Sequence, residues 1–303
     1  MPPSRVVPLS AKSTNGRLSR ALFRAYFRGL ARFAPRLSDK KAAALFITPR
    51  RRRRPPPGTP GLPAQRLSVA SGSLRLALWS WGQGPTVLLA HGWNGHPAQL
   101  SSFIRPLVDA GFRVVAFDQP AHGQSGGRRT TVLEMAEALQ AIARTLGPLH
   151  AVVAHSLGAT ATTLALFDHL PATRAVLIAP PAAPEHFVRR LAALLGLSDE
   201  RTEGMLAEVQ RKIGAHLESL DLRRVAGWVR QPALILHDIT DREVPFAHGQ
   251  AIAEAWPAAR FVPLSGLGHS RVLADPGVVH ATLDFLREGL TAARTQRDVA
   301  TSA

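Results

Sequence analysis

Short apolar runs recur along most of this chain, separated by stretches of helical periodicity and by turns rich in Gly and Pro. The first sixty residues follow a different pattern. Arg17, Arg20, Arg24, Arg28 and Arg32 are interleaved with Leu18, Leu22, Tyr26, Leu30 and Phe33. Steps of three and four in both sets predict an amphipathic helix over residues 17–34 with a basic face. A second, shorter helix is expected over Asp39 to Phe46. Arg50 to Arg54 then leads into Pro55-Pro56-Pro57, a self-repelling charge run before a stiff extended segment, which reads as a linker and domain boundary.

From Arg66 the pattern is that of a sheet. Runs at Arg66 to Ala70 and Leu74 to Trp81 flank Ser71-Gly72-Ser73, a hairpin signal. Further strands are expected at Thr86 to Ala90, Arg113 to Phe117, Leu149 to Ala154 and Ala175 to Ala179. Helices are expected at about Pro97 to Ala110 and Thr131 to Thr145, and again after Ser156. Strands alternating with helices at this pace predict a parallel sheet covered on both faces. Residues 183–230 break the alternation: they contain no strand-like run but show helical patterns at Phe187 to Leu195 and Glu200 to His216. The sheet resumes at Ala233 to His237, followed by a helix at Ala247 to Trp256, a strand at Arg260 to Pro263 and a closing helix at Val278 to Leu286. The expected organisation is a basic extension and linker over residues 1–60, a globular domain over 61–290 with its insertion at 183–230, and a tail over 291–303.

Charge sharpens this division. The net charge of +16 is carried by the extension: residues 1–60 hold 15 Lys and Arg against one acid, Asp39, whereas the other 243 residues hold 22 basic and 20 acidic groups. A basic amphipathic helix fits either an anionic membrane surface, contacted through residues 17–54, or a helix docked on the globular body with its arginines solvated. The second is the commoner use of the pattern in soluble domains and is favoured here. Nucleic acid is not expected as a partner, because the arginine run has neither aromatic stacking residues nor a recognition fold beside it. The chain has no cysteine, which excludes disulfides, thiolate nucleophiles and Cys-ligated metals. No apolar run is long enough to span a bilayer and no secretory pattern is evident, so a cytoplasmic location is expected, with membrane association as the variant.

The stretch Ala151 to Thr163 carries the clearest chemistry. An apolar strand stops at His155-Ser156, and a helix rich in small residues follows. A serine on so sharp a strand-to-helix turn needs small neighbours two positions away on each side, here Ala154 and Gly158. Acyl transfer by a serine also needs an imidazole, an orienting carboxylate and two N–H donors for the oxyanion. His269, in Leu264-Ser-Gly-Leu-Gly-His269, is the candidate base. Asp241, in the loop after Ala233 to His237, is the candidate acid, and Asp238 is its rival. The backbone N–H groups of Trp93 and Leu157 are the candidate oxyanion donors. His91 and His122, next to glycines, are expected to hydrogen-bond their loops. His155 is expected to point away from the serine, and His237 to be a satisfied polar residue at a strand end.

Five motifs together, His91-Gly92-Trp93, Asp118 through Gly126, Ala154-His-Ser156-Leu-Gly158, Asp241-Arg-Glu-Val-Pro245 and Gly268-His269, resemble those of the α/β-hydrolase superfamily across residues 66–288. The chain order Ser, Asp, His is that superfamily's own. The resemblance implies an α/β fold with a mostly parallel eight-stranded sheet, helices on both faces and a small helical lid where residues 183–230 fall. Ala154 departs from the usual Gly. Ser156 in place of an aspartate argues against the dehalogenase and epoxide-hydrolase branches. The implied function is a serine hydrolase cleaving a carboxylic ester or related acyl bond of a small molecule, without metal or cofactor. The same residues serve acyltransferases, peptidases and carbon–carbon hydrolases, and a non-catalytic scaffold tethered by its basic helix is the alternative from another class.

Overall fold

The computed structural model describes residues 14–51, 58 and 61–301, with side chains described from residue 21 to 289. The chain divides into two compact units. The larger holds residues 47–184 and those from 213 onward, and is built on one eight-stranded sheet of order β1-β2-β4-β3-β5-β6-β7-β8. Its strands are β1 (Gln65–Ser71), β2 (Leu74–Trp81), β3 (Thr86–Ala90), β4 (Arg113–Phe117), β5 (Leu149–His155), β6 (Ala172–Ile178), β7 (Ala233–Asp238) and β8 (Ala259–Leu264). β2 pairs antiparallel with β1 and β4, and every other pairing is parallel.

The helices are α1 (Thr14–Phe33), α2 (Pro35–Phe46), α3 (Ser101–Asp109), α4 (Val132–Leu146), α5 (Leu157–Phe167), α6 (Pro184–Leu195), α7 (Asp199–Ile213), α8 (Leu222–Val225), α9 (Phe246–Ala255), α10 (Gly268–Arg271) and α11 (Pro276–Thr301). None of them is long and apolar enough to cross a membrane, among the described residues. Strand alternation sorts the core into two layers. Leu88, Val115, Val152, Ala154, Leu177 and Ile235 pack with α4, α5 and α9 on one face. Val87, Leu89, Val114, Val153, Val176 and Leu236 pack with α3 and α11 on the other. The central strands are buried on both faces, which is why they read as continuous apolar runs rather than as alternating ones.

Local chemistry sets the element ends. α4 begins at a capping box in which Glu134 N–H donates to Thr131 Oγ1 (3.2 Å) and Thr131 N–H to Glu134 Oε2 (2.7 Å). The Thr-rich α5 tolerates its hydroxyls because Thr162 and Thr163 donate to the carbonyls four residues back. α2 begins at Pro35 rather than at Asp39, since proline is pre-set for the first helical turn. α11 continues beyond Leu286 to Thr301, through residues that favour helix.

The smaller unit joins residues 14–46 to residues 185–212 of the insertion. Arg201 of α7 is bonded to Asp39 of α2 at 2.8 Å. Gly204 faces the same carboxylate so closely that an added Cβ would lie 2.3 Å from Asp39 Oδ2. Gly196, between α6 and α7, abuts the guanidinium groups of Arg24 and Arg28. Burial pushes the Asp39 pKa up, and the Arg201 guanidinium opposes this.

Candidate active site

Ser156 sits between β5 and α5 with φ 53° and ψ −128°, a conformation that L-residues rarely adopt. The neighbouring strands over-determine it. Ser156 N–H donates to Ile178 O of β6 (2.9 Å), and its carbonyl accepts from Ala159 N–H (2.8 Å). A Cβ at Gly158 would lie 2.5 Å from His91 O and 2.7 Å from Ala90 O, so only glycine lets α5 start this close to the end of β3. On the other strand, a Cβ at Gly92 would meet Ser156 Cβ at 2.8 Å. The segment Gly92-Trp93 therefore passes directly beside the serine. Leu157 is the first residue of α5, where amide N–H groups have no intrahelical carbonyl to bond.

The structure brings Ser156, His269 and Asp241 together. Ser156 Oγ lies 3.1 Å from His269 Nε2, and His269 Nδ1 lies 2.7 Å from Asp241 Oδ2. A carboxylate only accepts, so Nδ1 carries the proton and Nε2 is left to accept from the serine hydroxyl. The Asp241 side chain is fully buried and that of His269 is nearly so. Burial alone would raise the Asp241 pKa. The close approach of His237, the hydrogen bond from His269 and that from Val244 N–H outweigh it and hold the carboxyl well below the usual range. Glu243 N–H (2.8 Å) and Val244 N–H (3.0 Å) occupy its other oxygen, Oδ1.

Asp238, the rival carboxylate, has a different task. It accepts from Leu267 N–H (2.8 Å) and from Thr240 N–H and Oγ1–H, which ties the His269 loop to the end of β7. His237 is fully buried, with Nε2 donating to Val244 O at 3.1 Å and standing 3.5 Å from Asp241 Oδ2. Its Nδ1 has no partner, so it is only half satisfied. His155 donates from Nε2 to the backbone carbonyl of His269 (2.9 Å), a bond not expected from the sequence, and the two rings lie 4.6 Å apart. It thus holds the loop that carries His269.

His91 and His122 fasten the loop after β3 to the Asp118–Gly126 turn. Gln119 N–H donates to His91 Nε2 (3.0 Å) and Asn94 N–H to His122 Nε2 (3.1 Å), while their Nδ1 atoms donate to Gly92 O and Pro120 O. Both rings are therefore neutral. The same turn is gripped by Arg51, which lies in the stretch expected to be linker. Its Nε donates to Gly123 O (2.9 Å), one Nη to Ser125 O (2.6 Å) and the other to Gly127 O (3.3 Å). Arg50 N–H donates to Asn94 Oδ1 (2.6 Å). The start of the arginine run is thus part of the framework; residues 52–57 lie outside the described residues. Arg51→Ala is expected to lower unfolding free energy by about 1–2 kcal/mol, because the three carbonyls are only partly shielded from water. Arg51→Lys should recover less than half of that, since an ammonium cannot reproduce the planar fork. Urea titration of the three proteins measures both differences.

Burial depresses the pKa of three framework histidines: His155 to about 3, with the nearby His269 adding to the effect; His91 well below the ordinary value; and His122 below it. In the unfolded chain such groups titrate near ~6.5. Below that pH the unfolded state takes up protons that the folded state refuses, so the stability is whole above it and is lost as pH falls toward the folded values. His155 contributes up to about 1.4 kcal/mol per pH unit in that window, and His91 and His122 act in the same direction. Urea midpoints should therefore drop steadily on acidification from neutrality. The His155→Gln variant should show a shallower slope.

Among the described residues no group of three or more His, Asp or Glu side chains is placed to hold a metal ion. The sequence profile of the alpha/beta hydrolase family matches residues 87–282. The chain belongs to that family, and its eight-stranded, mostly parallel sheet is the family's fold. A pimeloyl-[acyl-carrier protein] methyl ester esterase of Aromatoleum aromaticum is 29% identical, over 63% of this chain and 94% of that protein. Among solved structures, an esterase of Pyrococcus furiosus aligns with TM-score 0.62 and 20% identity, covering 80% of this chain and 99% of its own. Est1E of Butyrivibrio proteoclasticus, with ferulic acid bound, aligns with TM-score 0.62 and 17% identity over 74% and 99%.

Proposed function

We propose that the protein is a serine hydrolase that cleaves a carboxylic ester or a related acyl bond in a small molecule. The observation that supports this most directly is the unbroken hydrogen-bond chain from buried Asp241 through His269 to Ser156 at a strained turn. In this reading Ser156 Oγ attacks the acyl carbon as its proton passes to His269 Nε2. The developing oxyanion is held by the N–H groups of Trp93 and Leu157, whose segments flank the serine. Collapse of the tetrahedral species breaks the ester bond, and His269 returns the proton to the departing alcohol oxygen. Water then attacks the acyl-enzyme, giving its proton to His269, and the acid leaves as Ser156 regains its hydrogen. Asp241 stays ionised throughout and fixes the imidazole tautomer. The name of the Aromatoleum relative supports an ester as the bond cleaved.

A fluorophosphonate probe followed by peptide mapping, together with turnover of p-nitrophenyl acetate and butyrate, tests the proposal. Covalent label on Ser156 and ester hydrolysis are expected. Folded protein that takes up no label and turns over neither ester would leave the hydrolase fold as a non-catalytic scaffold.

A further inference from the structure

The smaller unit carries a surface that esterolysis does not use. On α1, Leu22, Tyr26 and Phe33 fall on one stripe, four and seven residues apart, and Phe23 borders it. Leu37 follows on α2. All five are exposed, Leu22 at 63% and Phe33 at 83%, whereas Phe27 alone of the α1 aromatics is buried. Leaving a whole apolar stripe in water forgoes the stabilisation that burial of such side chains normally supplies.

Cations rim this stripe. The Arg32 guanidinium lies 5.9 Å from the Phe33 ring centroid, and Lys41 Nζ lies 5.9 Å from that of Tyr26. Arg36 and Lys40 stand on α2 beside Leu37. The one acid of the first sixty residues, Asp39, is buried against Arg201 and offers no negative charge to the surface. Residues 185–212, in the same unit, hold five acidic and five basic side chains and do not offset the excess.

We propose that this face of α1 and α2 docks on an anionic lipid surface, with the Leu22–Tyr26–Phe33 stripe entering the headgroup boundary and the arginines and lysines meeting lipid phosphates and carboxylates. The occupant follows from the two halves of the face taken together. A bilayer interface supplies an apolar phase beside fixed negative charge. A nucleic acid has the charge, but it receives apolar side chains singly between bases and offers no continuous apolar phase for Leu22, Tyr26 and Phe33 together. A second copy of the chain has the apolar partner but brings the same positive charge opposite.

Flotation of the full chain with vesicles tests this. Phosphatidylcholine vesicles containing about one-third phosphatidylserine should carry at least about tenfold more protein than phosphatidylcholine alone, and high salt should reduce that excess strongly. The Leu22→Ser/Phe33→Ser double variant should lose about fivefold or more of the bound fraction at unchanged thermal stability, because neither side chain is packed in the fold. The Arg32→Glu/Arg36→Glu variant should lose the preference for anionic vesicles. Equal binding to neutral and anionic vesicles, no flotation with either, or full binding by the apolar double variant would overturn the proposal. So would a salt-resistant dimer in sedimentation that the same double variant dissociates, which would assign the face to a second copy.

Discussion

Ser156→Ala should lower kcat for p-nitrophenyl butyrate by about a million-fold, with KM changed far less. The substitution removes the one oxygen that His269 Nε2 faces at 3.1 Å and leaves the backbone where it is. Alanine meets the same penalty as serine at φ 53°, and the bonds from Ser156 N–H to Ile178 O and from Ala159 N–H to the residue-156 carbonyl survive. Thermal stability should therefore hardly move, and the loss of rate cannot be ascribed to unfolding. Residual catalysis from oriented N–H donors and from binding alone sets the floor. A variant that kept more than about one-hundredth of the wild-type rate, free of wild-type contamination, would require another nucleophile.

Asp241→Asn should cost about ten-thousandfold in kcat. An asparagine in the same place can offer its amide N–H₂ to His269 Nδ1, which moves the ring proton to Nε2. The atom facing Ser156 Oγ then has a hydrogen where it needs a lone pair. Glu243 and Val244 N–H can still donate to the amide oxygen, so the loop itself is preserved. Asp238→Asn provides the contrast. Asp238 carboxylate oxygens accept from Leu267 N–H and Thr240, and one of those bonds anchors the loop before His269. Its loss should slow turnover by no more than about tenfold, because the imidazole tautomer is untouched. Steady-state rates of the two variants side by side separate the carboxylate that orients the ring from the one that holds its loop. Equal losses would reassign Asp241.

What could be read from the residues was what lies close in sequence or is fixed by steric need. Buried parallel strands announce themselves as apolar runs, and a serine between Ala154 and Gly158 announces a tight turn because no large side chain fits there. The residues offered both Asp241 and Asp238 as the carboxylate, and it is Asp241 that lies 2.7 Å from His269 Nδ1. What could not be read depends on long-range placement. The bond from His155 to the His269 loop is one such case, since strand alternation says nothing about a loop 114 positions later folding back to meet its ring. Arg51 looked like one of five equivalent solvated charges. Only the folded Asp118–Gly126 turn, with three carbonyls aimed at one point, makes it different. The pairing of Asp39 with Arg201 spans 162 positions and leaves no trace in local periodicity.

That last separation bears on how the protein is made. The helices of residues 14–46 leave the ribosome about 140 residues ahead of the segment they fold with. At translation rates of roughly 5–20 residues per second, they wait about seven to thirty seconds for it. During that interval Asp39 lacks its Arg201 partner, and a holdase that binds basic-apolar segments would find α1 and α2 open. Nascent-chain proteolysis should accordingly find residues 14–46 cleavable until residue 212 has emerged.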